Sequence, residues 1–252
     1  MATTKEREIF ETELLPAIGK HADELRKEKV TGFMSSTGVL YDRELMVVGR
    51  AVNGWLENEE WNVFPSELSQ PDSLRTFTDK VYASVTSNAR CPMQWVTDDW
   101  GNTEKPYNPA RSAFWRVIKE IVSNIGIEDA DDDNWPSHIV YSNLYKVAPA
   151  ERMNPNKLLC DVQLEGCISL LESELLTNTP RRLLFLTGID WASDFLERMR
   201  ISYDKASDFG FVQAIGKGSY SAAYKTKVVV AVHPQGKGDS AWVQDVMKAF
   251  RT

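Results

Sequence analysis

Four short stretches of this chain end in side chains that could grip a planar, hydrogen-bonding ligand. They are Gly49-Arg50-Ala51-Val52-Asn53-Gly54-Trp55, Ser142-Asn143-Leu144-Tyr145-Lys146, Thr187-Gly188-Ile189-Asp190-Trp191 and His233-Pro234-Gln235-Gly236-Lys237-Gly238. Asparagine carries two donors and an acceptor in one amide, and a histidine ring supplies a donor with an acceptor, or two donors. With an aromatic face such as Trp55 nearby, Asn53, Asn143 and His233 can read a heterocycle by its edge. The same set suits a sugar or a small amide equally well. Lys237, between Gly236 and Gly238, adds a cation where the missing side chains let a phosphate come close.

Other chemistries lack their motifs. The chain has no Gly-x-Ser-x-Gly elbow, no phosphate-loop signature, no Gly-x-Gly-x-x-Gly fingerprint and no His-Glu-x-x-His pair. Its three histidines, His21, His138 and His233, show no metal-ligand spacing, which disfavours metal catalysis.

The side chains above need elements to position them, and four apolar runs supply these: LMVVG at 45–49, HIVYSNL at 138–144, LLFLTG at 183–188 and KVVVAVH at 227–233. Continuous Val/Leu-rich runs of this length read as strands buried on both faces. Helical spacing connects them, through Ala113, Val117, Ile118, Ile121, Val122 and Ile125, and again from Leu158 to Leu176. Two further helices are expected at 190–199 and 240–250, capped by Asp190 and by Asp239 or Ser240. The alternation predicts an α/β fold: a three-layer α/β/α domain around a mainly parallel sheet of about four strands. Ligands then collect at the carboxyl ends of the strands, where the four loops converge. Residues 5–29 read as an added N-terminal helical segment broken near Pro16, and the whole of 1–252 as one domain. The Trp-rich stretch 55–109 reads as structural cover interrupted by a helix over 74–87.

Composition narrows the setting. The 252 residues carry a formal net charge of −7, which gives no global pull toward nucleic acid or anionic membrane. A DNA contact then needs a local basic patch, for which Lys217, Lys225, Lys227 and Lys237 are the candidates, although a solvated lysine-bearing hairpin explains them too. No apolar run approaches the ~20 residues of a membrane helix, and the leading residues mix charges too freely for a signal peptide. Three cysteines without a Cys-x-x-Cys pair point to reduced thiols, with Cys160 and Cys167 as core residues, and hence to the cytoplasm. The acidic run 128–133 reads as a solvated loop.

Taken in order, these stretches resemble the uracil-DNA glycosylase superfamily. LMVVGRAVNGW is similar to its first motif, a strand ending in glycine before a loop with the water-activating Asp or Asn. NPARSAFWRVI resembles a Phe-Trp helix of several branches, and IVYSNLYKVAP the strand whose asparagine recognises the flipped base. LLFLTGIDW fits the intervening strand, and VVVAVHPQGKG resembles the final His-Pro motif. The chain departs from the family in having Ala51 two residues after Gly49, with Asn53 the nearby alternative, and Gln235 in place of the usual serine.

The resemblance implies hydrolysis of the N-glycosidic bond of a damaged or deaminated base in DNA, a reaction that requires no metal or organic cofactor. It makes Asn53 and His233 the catalytic pair, Asn53 positioning water and His233 stabilising the departing base. Asn143 then reads the base, and Gly49, Arg50, Trp55 and Lys237 complete the binding set. A non-catalytic nucleobase or nucleic-acid binding module on the same fold is the alternative. Each residue also has a plainer role: Asn53-Gly54 as a turn, Asn143 as a loop bridge, His233 as a histidine satisfied by backbone.

Overall fold

The computed structural model of the chain describes residues 3–56, 58–86, 91–151 and 153–252. In chain order these form α1 (Thr4–Ile9), α2 (Leu15–Lys20), β1 (Val30–Gly32), β2 (Ser36–Thr37), β3 (Leu45–Ala51) and α3 (Pro71–Thr86). Then come α4 (Gln94–Asp98), α5 (Ala113–Ile125), β4 (Ile139–Tyr145), β5 (Val147–Pro149) and α6 (Lys157–Asn178). The last are β6 (Arg182–Phe185), α7 (Ile189–Arg198), β7 (Ser202–Lys205), β8 (Val212–Gly218), β9 (Thr226–Ala231) and α8 (Asp239–Arg251). The fold is α/β, and all four apolar runs form strands. Among the described residues no helix is long and apolar enough to cross a membrane.

The sheet is wider and less parallel than the four runs suggest. Its seven strands lie in the order β2-β4-β3-β6-β9-β8-β7. β3, β6 and β9 pair in parallel, with Leu45 opposite Arg182 and Arg182 opposite Lys227. β8 and β7 then add antiparallel strands beyond β9. They escape a search for apolar runs because β8 alternates buried residues with partly or fully exposed ones, while three of the four residues of β7 are exposed. One face of such a strand meets water, so its sequence alternates.

The chain gathers into two compact units, Met1–Ser36 with Gly49–Ala89 and Ser142–Thr177, and Thr37–Val48 with Arg90–Tyr141 and Asn178–Thr252. In the first unit the N-terminal helix is split by a π-helical turn, Phe10–Leu14, which delivers Pro16 to the first turn of α2. Proline has no N–H to donate, and a first-turn position asks for none. Helical structure there stops at Lys20, short of the expected 29. Phe10, Leu14, Leu15, Ile18, Phe33, Phe77 and Val81 are all buried. Gly166 of α6 sits where a Cβ would lie 2.8 Å from the Leu14 backbone, so the two helices touch main chain to main chain. The 74–87 helix is α3, which the structure follows to Thr86; Ser87 lies outside the described residues.

The core of the second unit takes Leu45 and Val47 from β3, Val117, Ile118 and Ile121 from α5, Leu184 from β6, Val229 from β9, and Trp242 and Val246 from α8. Trp95 and Trp100, from the Trp-rich stretch, pack against it. The expected caps of α7 and α8 are displaced: the N-cap positions fall to Gly188 and Gly238, with no side-chain cap bond. Asp239 instead faces Arg116, as described below.

Candidate binding cleft beside His233

His233 follows β9 in the second unit, and three bonds fix the chain around it. Gly188 N–H donates to the Ala231 carbonyl (2.9 Å), Val232 N–H to Phe211 (2.9 Å), and the Trp242 indole to the Val232 carbonyl (2.9 Å). Beyond His233 the chain turns over Pro234, with Lys237 N–H bonded back to the Pro234 carbonyl at 3.0 Å. Gly236 takes φ +74° in that turn, a conformation glycine adopts without strain.

The turn sets the state of the ring. The backbone N–H of Gln235 donates to Nδ1 of His233 at 3.3 Å. A nitrogen that accepts cannot carry the proton, so in the neutral ring the proton sits on Nε2 and makes it a donor. The Phe114 ring stacks beside the imidazole, centroids 6.5 Å apart and planes 23° from parallel. Phe114 is itself held edge-on by Trp115 (5.1 Å) and Tyr141 (5.7 Å).

His233, Gln235 and Gly236 form one wall of a cleft of about 450 Å³, within the ~300–1,000 Å³ span of small-molecule sites. The opposite wall comes from Lys105 and Tyr107 and from the first turn of α5 with the residues before it, including Asn108, Arg111 and Phe114. Asn108 shapes that wall: its Oδ1 accepts the N–H of both Gly101 and Ala110 at 3.0 Å. Arg116 ties the wall down by a two-pronged bond to Asp239, 2.6 and 3.3 Å, and by a third to the Ala110 carbonyl at 3.2 Å. The carboxylate raises the already high pKa of the guanidinium, keeping it charged.

The remaining residues singled out in the sequence are distributed as follows. Lys237 is exposed on the same turn as His233 and does not line the cleft. Lys217 and Lys227 face each other across β8 and β9, with Arg182 opposite Lys227 on the other side. Burial, Lys217 and Arg182 together lower the pKa of Lys227. This cationic row lies at the start of β9, roughly 20 Å of strand away from His233. The four lysines therefore do not make one patch around the His-Pro turn.

Gly49, Arg50, Asn53, Trp55 and Asn143 belong to the first unit. Gly49 is buried in β3 and Arg50 half-buried. Asn53 is exposed next to Gly54, where the chain bends with φ +64°. Trp55 donates its indole N–H to Ser84 (2.8 Å) and meets the Phe33 ring edge-on at 4.6 Å. Asn143 is buried inside β4, because that strand continues to Tyr145.

Sequence reasoning gave no site role to Lys105, Tyr107, Asn108 or Arg111, although the last two stand in NPARSAFWRVI. The signal was Asn108-Pro109-Ala110-Arg111, an Asn cap and a Pro at the start of a short 3-10 turn. Of the thiols, Cys167 is buried and Cys160 half-buried; burial pushes both up, to about 12 and about 11. Among the described residues no group of His, Cys, Asp and Glu is arranged to hold a metal ion. No protein-family model matches the sequence, and no curated protein matches it either.

Proposed function

We propose that this protein handles a nucleobase in the manner of the uracil-DNA glycosylases, hydrolysing the N-glycosidic bond of a damaged or deaminated base in DNA. The observation that carries the reading is the bond from Gln235 N–H to His233 Nδ1, which in the neutral ring puts the proton on Nε2 and makes it a donor beside the cleft. A base leaving as an anion needs a fixed donor at the oxygen where charge develops, and a preorganised one acts most strongly away from water. The stacked Phe114 ring supports the reading by fixing the imidazole plane. The resemblance also assigns water positioning to Asn53 and base reading to Asn143; neither residue lines the cleft. The base reaches the cleft by leaving the helical stack. The free thiols of Cys91, Cys160 and Cys167 suit a reducing, cytoplasmic setting.

A second reading, a binding module without turnover, is favoured by two observations: among the described residues no carboxylate lines the cleft, and Ala51 stands two residues after Gly49. Single-turnover incubation with uracil-, hypoxanthine- and thymine-mismatch DNA separates the two. Release of free base supports the glycosylase. Selective binding of such DNA with no base released supports the module and overturns the glycosylase.

A further inference from the structure

The cleft beside His233 holds more positive charge than reading a base requires. Lys105, Arg111 and Arg116 all line it, and among the described residues no carboxylate does. Arg116 is engaged by Asp239. The Lys105 ammonium stands 3.8 Å from Asp99, at the outer limit of an ion pair. Arg111 is exposed, and among the described residues no carboxylate lies within ion-pair distance of it. Its planar fork matches two phosphate oxygens at once, a geometry lysine cannot reproduce. The same wall contains Ser112, Ala113 and Phe114, the start of the thirteen-residue α5, where no side chain caps the first N–H groups. Those donors and the helix dipole reinforce the preference for an anion that the two cations establish. A volume of about 450 Å³ leaves room for more than a planar base.

We propose that Arg111 and Lys105 form a phosphate subsite on this wall, so that the cleft engages a nucleotide through its phosphate and not a bare base. The inference rests on the nucleobase reading above only for what lies beside the phosphate. The shared chemistry is a phosphate oxygen set next to a heterocycle, whether a diester within a strand or a monoester on a free nucleotide.

Equilibrium binding to the full chain tests it with four probes: deoxyuridine, deoxyuridine monophosphate, deoxyribose phosphate and a uracil-containing single-stranded oligonucleotide. A phosphate-bearing probe should bind ~10-fold or more tightly than deoxyuridine, the scale of a charge-assisted contact. Arg111→Ala should remove that advantage and Arg111→Lys restore part of it; the exposed position spares the fold, which circular dichroism verifies. Loss confined to the oligonucleotide, with its salt slope reduced by ~1, assigns the site to a strand, and loss for the monophosphate assigns it to a free nucleotide. Equal affinity for deoxyuridine and its monophosphate, with oligonucleotide binding untouched by Arg111→Ala, overturns the subsite. Deoxyribose phosphate bound through Arg111 without any base release keeps the subsite and rejects the glycosylase. Base release with binding indifferent to phosphate does the reverse.

Discussion

The ammonium of Lys146 meets the carboxylate of Glu174 at 2.7 Å, with both side chains sealed from solvent. Ser142 completes the triangle, accepting from Lys146 Nζ at 2.6 Å and donating to the other Glu174 oxygen at 2.6 Å. β4 and α6 of the first unit are joined by this network beneath Cys167, whose sulfur accepts the Lys146 N–H at 3.4 Å. Burying two charges costs heavily, and the pair holds because each charge keeps its partner.

Removing one partner should therefore be far worse than removing both. Lys146→Met is expected to destabilise the chain by about 3–5 kcal/mol, because Glu174 is left charged and buried. Adding Glu174→Leu to that variant should recover much of the loss. Urea unfolding of the two single variants and the double variant reads the difference. A loss in the double variant equal to the sum of the two single losses would show that the pair is not coupled.

Glu6 borders the same network. It is 1% exposed, its Oε1 has no hydrogen-bond partner among the described residues, and its Oε2 accepts from Thr3 N–H (3.1 Å) and Ser35 Oγ (3.4 Å). Burial above all, then the nearby charge of Glu174, pushes its pKa up from 4.5 to about 7, against the opposing pull of Thr3 and Lys146. A carboxyl held protonated in the fold binds more protons folded than unfolded across that window. Its contribution is complete below about pH 4.5 and is lost as pH rises toward about 7. Glu6→Gln should flatten this slope, gaining stability relative to the parent at pH 8 and little at pH 4. Parallel urea titrations check it, and an unchanged slope in the variant would sink the assignment.

Gly38 has no room for a side chain. A Cβ there would lie 2.2 Å from the Ser137 carbonyl oxygen, and bonds from Gly38 N–H to Ile139 and from Leu40 N–H to Ser137, both 2.9 Å, hold the two segments together. Gly38→Ala should lower stability by about 1–3 kcal/mol, the cost of overpacking a tight contact. Thermal unfolding measures it, and a variant as stable as the parent would mean that the loop shifts freely.

The buried strands were legible because each is a continuous apolar run: Leu183 to Leu186 cannot face water on either side. The helices were legible because their apolar residues recur every three or four positions. The β7–β8 hairpin was not, since Val212, Ala214 and Gly216 alternate with half-exposed neighbours and Ser202–Lys205 is largely polar. His233 was legible as the residue after a strand, but its cleft was not. The opposing wall is an irregular Pro- and Asn-rich loop with no period to read, placed by Asn108 and Arg116 through bonds that only the folded chain displays. Lys146 looked like a loop lysine. The sign that it is buried lay in α6, where Glu174 falls on the apolar face set by Leu170, Leu171 and Leu175, all buried.

The most direct test of the account is the rate at which free uracil is released from a uracil-containing oligonucleotide under single-turnover conditions, for the parent and for His233→Ala. The account predicts measurable release by the parent and a loss of ~10²-fold or more in the variant, as expected when a donor aimed at developing charge is removed. Equal release by the two proteins, or none by the parent, would contradict it.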